Sequence, residues 1–152
     1  MAIGEICSRE VVFARRDTTV KVAARLMRES HIGSLVVVDE PDGKRIPAGI
    51  LTDRDIVVAV VALGLNSDVI QVGDVMSQEL LAVREDAGVA ETAELMRLKG
   101  VRRLPVTDDT GALVGIIAAD DLLMLLAEEM SALAMMVSRE HKREKEMRRS
   151  GV

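Results

Sequence analysis

The sequence predicts an α+β protein, with two β-α-β-β-α repeats packed as one module about a pseudo-twofold axis and an extended C-terminal helix after them. Three observations predict it. The chain matches itself at a shift of sixty-nine positions, so that Ile3-Gly4-Glu5-Ile6 meets Val72-Gly73-Asp74-Val75 and Ala24-Arg25-Leu26-Met27-Arg28 meets Ala93-Glu94-Leu95-Met96-Arg97. Within each copy, short apolar runs alternate with stretches of helical spacing. Past the second copy an apolar seam continues through Leu122, Leu126, Met130, Leu133 and Val137.

The repeat organises everything else. Ser8 meets Ser77, Asp17 meets Asp86, Val20 meets Val89, and Leu35, Val37 and Asp39 meet Leu104, Val106 and Asp108. After Asp39 the first copy carries three extra residues, and the register then resumes with Gly49-Ile50-Leu51 facing Gly115-Ile116-Ile117. A turn is where a repeat tolerates such an insertion.

In the first copy, Val11 to Ala14 reads as a short buried strand. Asp17 and Thr18 offer side-chain oxygens to cap a helix, and Val20, Ala23, Ala24 and Met27 give that helix one apolar stripe. Ser34 to Val38 is β-branched and strand-like. Pro41-Asp42-Gly43 signals a turn, Ile46 to Leu51 a returning strand, and Asp53 to Leu63 a second helix. The second copy repeats the order with Leu80 to Val83, Val89 to Leu98, Leu104 to Thr107, Leu113 to Ile117 and a helix from Asp120. Met27 and Met96 belong to the core. A single unit of this size buries too little surface to stand alone, so the two are expected to pack sheet to sheet around a cleft. Residues 1–67 and 68–130 form the two repeats. Residues 131–152 form a helical extension, whose charged end from Arg139 to Arg149 is expected to project into solvent or fray.

Composition narrows the function. Of 152 residues 49% are apolar and 30% charged, with one Phe and no Tyr or Trp. Such a chain is poorly equipped to stack on bases, and a net charge of −5 is the wrong sign for a nucleic-acid surface. The single cysteine, Cys7, fits a reducing compartment. No basic-then-apolar segment opens the chain, and the most apolar stretch, Asp55 to Leu65, is too short to span a bilayer. A cytoplasmic location with no membrane partner is expected. Cys7, His31 and His141 do not form a metal-ligand spacing, and no phosphate loop, dinucleotide fingerprint or nucleophile elbow is present. No catalytic residue is assigned.

With the repeat in view, Gly49-Ile50-Leu51-Thr52-Asp53-Arg54-Asp55-Ile56, His31-Ile32-Gly33-Ser34-Leu35-Val36-Val37-Val38-Asp39 and Val101-Arg102-Arg103-Leu104-Pro105-Val106 together resemble the CBS domain pair, or Bateman module, over about residues 3 to 128. The resemblance implies reversible binding of AMP, ADP, ATP, NAD or S-adenosylmethionine between the repeats, and pairing of two modules into a flat dimer. It implies a ligand site drawn from Val12, Phe13, Ile32, Gly33, Ser34, Thr52, Arg54 and Asp55 in the first copy. From the second copy it draws Leu81, Ala82, Val101, Arg102, Arg103, Pro105, Ala118, Asp120 and Asp121.

The residues themselves allow two readings. Thr52 ends a strand and Asp55 lies in the first turn of the next helix. A carboxylate there can accept both hydroxyls of a ribose, while the Thr52 hydroxyl, the helix-start N–H groups and Arg54 can hold phosphate. The same Thr-x-x-Asp spacing is that of a capping box, and the two roles are compatible. In the second copy Ala118 removes the hydroxyl, Asp121 keeps the carboxylate, and Asp120 is expected to cap the helix instead. Arg102 and Arg103 stand where the first copy has Gly33 and Ser34; they either draw phosphate into the cleft or act as edge-strand charges against aggregation. Phe13 either packs on an adenine or belongs to the core.

Three functions follow in order. The first is a nucleotide sensor that acts through shape and a regulated enzyme or transporter. The second is a dimerising structural adaptor with no physiological nucleotide, and the third an enzyme. A homodimer is expected because Val57, Val58, Val60 and Val61, and the seam from Leu122 to Val137, form apolar faces that favour twofold pairing.

Overall fold

The computed structural model describes residues 1–151. It divides into two compact units, the first Met1–Ala118 and the second beginning at Ala119. The first unit contains both repeats. The first repeat opens with a single helical turn, α1 (Ile3–Ile6), followed by β1 (Phe13–Arg15), α2 (Val20–Ser30), β2 (Ser34–Asp39), β3 (Ile46–Thr52) and α3 (Asp53–Ile56). The second opens likewise with α4 (Val72–Val75), then β4 (Val83–Arg84), α5 (Val89–Lys99), β5 (Arg103–Thr107) and β6 (Leu113–Ala118). The second unit is one helix, α6 (Ala119–Arg149).

Each repeat builds a three-stranded sheet, β1-β2-β3 or β4-β5-β6. The first pair of strands runs parallel and the second antiparallel. Even the irregularity repeats, with a register shift at Val37/Val38 in one sheet and at Val106/Thr107 in the other. Side chains alternate across a strand, yet Leu35, Val36, Val37 and Val38 are all buried, as are Leu104, Pro105, Val106 and Thr107. Both faces of each central strand are therefore covered. Leu35 and Val37 join Ala23 and Met27 of α2 in one core cluster, and Met96 is buried at the matching place in the second copy.

The two copies are joined by an exchange of segments that the spacing of the repeat did not reveal. Before α4, Gln71 pairs with Thr19, and the Val72 and Gly73 N–H groups donate to the Thr18 and Arg16 carbonyls at 2.8 and 2.9 Å. Before α1, Ala2 pairs with Gly88, and the Ile3 and Gly4 N–H groups donate to the Ala87 and Glu85 carbonyls at 2.9 and 2.8 Å. Each copy's opening turn thus docks on the other copy. Val72 and Met76, from the second copy, sit in the first copy's core cluster. The exchange continues beyond each turn: Ser77 bridges to Ile50 of β3, and Ser8 to Ile116 of β6. Glycine is needed beside both bridges. A Cβ on Gly49 would lie 2.3 Å from the Ser77 carbonyl oxygen, and one on Gly115 2.8 Å from that of Ser8.

Several expectations need correction. Strands β1 and β4 begin two or three residues later than the apolar runs, at Phe13 and Val83. The cap of α2 is Thr19, which accepts from the Val22 N–H, whereas Thr18 accepts from the Arg15 N–H and Asp17 lies one residue further out. The long helix read from Asp53 to Leu63 is α3 followed by a π-turn at Val57–Val61, where the Ala62 N–H reaches back to the Val57 carbonyl at 2.8 Å. Within that turn Val60 is buried, while Val57, Val58 and Val61 are exposed. Of the two outcomes expected for the charged end of α6, fraying is not seen, whereas exposure to solvent is: the end is helical to Arg149 and exposed throughout. Strand β5 is central rather than marginal in its sheet, so the edge-protection reading of Arg103 fails.

Candidate functional site

In the first copy the sequence brings two segments together. Ser34, which opens β2, pairs in register with Thr52, which closes β3. Just beyond, the Asp53 N–H donates to the Gly33 carbonyl at 3.0 Å. A Cβ at Gly33 would come 3.1 Å from Asp53 Oδ2, so the glycine leaves room for that carboxylate. Helix α3 begins at this junction because Thr52 adopts an extended conformation and caps it. The Asp55 N–H donates to Thr52 Oγ1 at 3.1 Å, and the Thr52 N–H donates to Asp55 Oδ2 at 2.9 Å. The capping box is therefore built.

It does not use up the chemistry of its members. Thr52 Oγ1 acts in it as an acceptor, which leaves the hydroxyl proton to donate elsewhere. Asp55 commits Oδ2 and retains a second carboxylate oxygen. Thr52 and Asp55 are half-buried and Arg54 is exposed. Gly33, Ser34, Thr52 and Asp55 thus meet at the junction of β2, β3 and α3, with Arg54 in the same first turn of α3.

Other sequence-derived candidates serve the fold. Val12 and Ile32 pack against the first copy's core cluster. Phe13 is half-buried, and the guanidinium of Arg45 lies over its ring at 4.2 Å. Arg45 was not anticipated. It sits in the first copy's longer β2–β3 turn, which has no counterpart from which to read it. Its carbonyl also accepts from the Leu113 N–H of the second copy at 2.7 Å.

In the second copy Arg103 pairs in register with Ala118, and Pro105 with Ile116. Pro105 is buried, Val101 and Arg103 half-buried, and Arg102 exposed. Ala118 closes the first unit. Asp120 and Asp121 belong to the first turn of α6 in the second. Because α6 starts at Ala119, Asp120 is its second residue and does not stand at the cap position. Leu81 and Ala82 are half-buried. Ala82 borders a surface depression of about 610 Å³ that Asp86, Glu91 and Glu94 also line. Arg84 is paired with Asp86 there at 2.9 Å. That depression is acidic and suits phosphate poorly. Among the described residues no group of His, Cys, Asp and Glu could hold a metal ion, and no helix is long and apolar enough to cross a membrane.

Two carboxylates at matching positions, Asp39 exposed and Asp108 half-buried, are held below their ordinary range. Asp39 is held there chiefly by hydrogen bonds from Arg16, whose Nε lies 2.8 Å from Oδ1. For Asp108 the largest cause is the Thr110 hydroxyl at 2.7 Å, with backbone N–H groups of Ala112 and Thr110 adding to it.

A duplicated unit, an exchanged opening turn and a capped helix start beside the central strand define a tandem-repeat module. The chain belongs to the CBS domain family, whose model matches residues 3–62 and 72–128. A protein of Methanopyrus kandleri is 42% identical over 125 residues, which are 82% of this chain and 62% of that protein, so the chain spans less than two thirds of this relative. Among solved structures, a protein with CBS domains from Burkholderia ambifaria superposes with a TM-score of 0.72 at 30% identity, covering 83% of this chain and 93% of that one. The CBS domain pair of protein MJ0100, solved with 5′-methylthioadenosine and S-adenosyl-L-methionine, superposes with a TM-score of 0.70 at 27% identity, covering 85% and 98%.

Proposed function

We propose that this protein is a non-catalytic regulatory module that binds an adenosine-containing ligand and transmits binding as a change of shape to a partner enzyme or transporter. The carrying observation is the Thr52–Asp55 capping box beside Gly33 and Ser34. In this reading the free oxygen of Asp55 accepts the ribose hydroxyls, the Thr52 hydroxyl donates to the ligand, and Arg54 meets phosphate or carboxylate. Arg102 and Arg103 extend the same chemistry in the second copy. The solved MJ0100 complex supports the ligand class, since both of its ligands carry adenosine. AMP, ADP, ATP, NAD and S-adenosylmethionine are the candidates. A homodimer through the exposed Val57, Val58 and Val61 face completes the proposal.

The test is a calorimetric or dye-based thermal panel of the five ligands. A ligand at about 100 times its dissociation constant should add about 2.7 kcal/mol of stability. No shift at millimolar ligand, with protein verified ligand-free, overturns the sensor reading. It would favour the structural adaptor, a reading supported by the fact that Thr52 and Asp55 already hold the helix start.

A further inference from the structure

We infer that α6 pairs antiparallel with the α6 of a second copy of this chain. Leu123, Leu126, Met130, Leu133 and Val137 recur at alternating steps of three and four along α6 and are 62, 49, 70, 60 and 45% exposed. That spacing is the seam of a two-stranded coiled coil. A stripe of this size facing water marks an interface.

Charge chooses the occupant and its direction. From Ala119 to Ser138 the helix carries Asp120, Asp121, Glu128 and Glu129 and no basic residue. From Arg139 to Arg149 it carries six basic residues and three acidic ones. The helix is therefore acidic at its start and basic at its end, with the apolar stripe in its first two thirds. Two parallel copies would set acid against acid and base against base. An antiparallel pair sets the acidic start of each beside the basic end of the other. It also matches four of the five stripe residues to one another: Leu126 meets the partner's Val137 and Met130 meets the partner's Leu133, while at each end of the seam Leu123 meets the partner's Glu140. In this register Asp120 comes level with the partner's Arg143. Opposed charges of this kind select orientation more than they add affinity. The pairing extends the homodimer proposed above, but rests on different residues.

The test is disulfide trapping in the full-length protein with Cys7→Ser as background. Chains carrying Leu126→Cys and Val137→Cys, tagged to differ in mass, are co-expressed and mildly oxidised. Cysteines 126 and 137 of one helix are separated by about 16 Å along its axis, well beyond the roughly 7 Å Cα separation that a disulfide tolerates. Antiparallel pairing therefore gives the mixed disulfide, and neither variant cross-links to itself. Leu123→Cys with Glu140→Cys gives the same result one layer further out. All four positions are exposed, so each variant should melt with the parent. Self-cross-linking of Leu126→Cys alone, or absence of the mixed disulfide in both pairs, overturns the inference. Light scattering separates the two readings: a dimer mass without the mixed disulfide leaves the homodimer standing and removes this pairing, whereas a monomer mass removes both.

Discussion

The two repeats share a fold and differ at the places where a ligand or a solvent shell would meet them. The opening turns, the docking carbonyls, the register shifts and the bridging glycines coincide. The helix start after the last strand does not: the first copy has Thr52 in a completed box and the second has Ala118. Before the central strand, Gly33 and Ser34 become Arg102 and Arg103. At the end of the second-position helix, His31 adopts the left-handed conformation with φ 53, where the second copy has Gly100 with φ 65. The difference teaches that duplication constrains what the copies present to each other and frees what they present outward.

The comparison breaks most severely at the exchanged segments. Gly49→Ala places a methyl group against the Ser77 backbone oxygen, which cannot yield without moving the strand. Urea denaturation should show a loss of about 3 kcal/mol, the upper range for overpacking. Gly115→Ala meets the Cys7 sulfur first and the Ser8 oxygen at 2.8 Å, so its loss should be smaller. Equal losses would mean that the two docking sites are not graded in this way.

Next in size is the asymmetry of the proposed sites. Asp55→Ala removes acceptor bonds contributing about 1.5–3 kcal/mol each, so affinity measured by calorimetry should fall at least about tenfold. Asp121→Ala should change the tightest affinity less. Asp55→Ala also removes part of the cap, worth about 1 kcal/mol, so melting of the ligand-free variants must accompany the titrations. An unchanged dissociation constant with a lowered melting point would leave Asp55 with a capping role only.

A smaller effect sharpens the match between His31 and Gly100. A left-handed conformation costs a residue with a Cβ roughly 1 kcal/mol or more. His31→Gly should raise stability by about 1 kcal/mol and Gly100→Ala should lower it by a similar amount. Thermal melts of the two variants moving in the same direction would contradict this.

The smallest effect concerns acid. Asp39 and Asp108 both have folded pKa values below those of the unfolded chain. Each stabilises the fold fully above the unfolded carboxylate value of about 3.9, and that contribution disappears as pH falls through the lower folded value. Asp39 depends on an exposed ion pair, so added salt should move its titration back toward the ordinary value. Asp108 is held mainly by turn hydrogen bonds and should move less. Carboxyl NMR titrations at two salt concentrations measure both.

The sequence disclosed what periodicity encodes. The repeat, the order of strands and helices, and the burial of Met27 and Met96 all follow from spacing. Periodicity says nothing about which copy receives which turn: Ile3–Ile6 and Val72–Val75 align equally well whether each docks on its own repeat or on the other. Helix starts were legible only to a residue or so, because Asp17, Thr18 and Thr19 are all capable caps and the hydrogen-bond geometry selects Thr19. The same uncertainty misplaced Asp120. Val57–Val61 has helical spacing but closes as a π-turn, and a one-residue change of hydrogen-bond partner leaves little mark on a run of valines. The Thr52–Asp55 box was legible as two alternatives, and the structure builds the capping one without excluding the other.

The exchange of opening turns also orders the making of the protein. On the ribosome, Ile3–Ile6 emerges well before its docking carbonyls at Glu85 and Ala87, and Ser8 before its bridge partner Ile116. The first repeat, for its part, lacks Val72 and Met76 in its core until the second has begun. Neither half is finished before the other has started. A nascent chain released between the repeats would carry an uncovered strand and an undocked turn, so truncation there yields an incomplete core rather than a smaller domain.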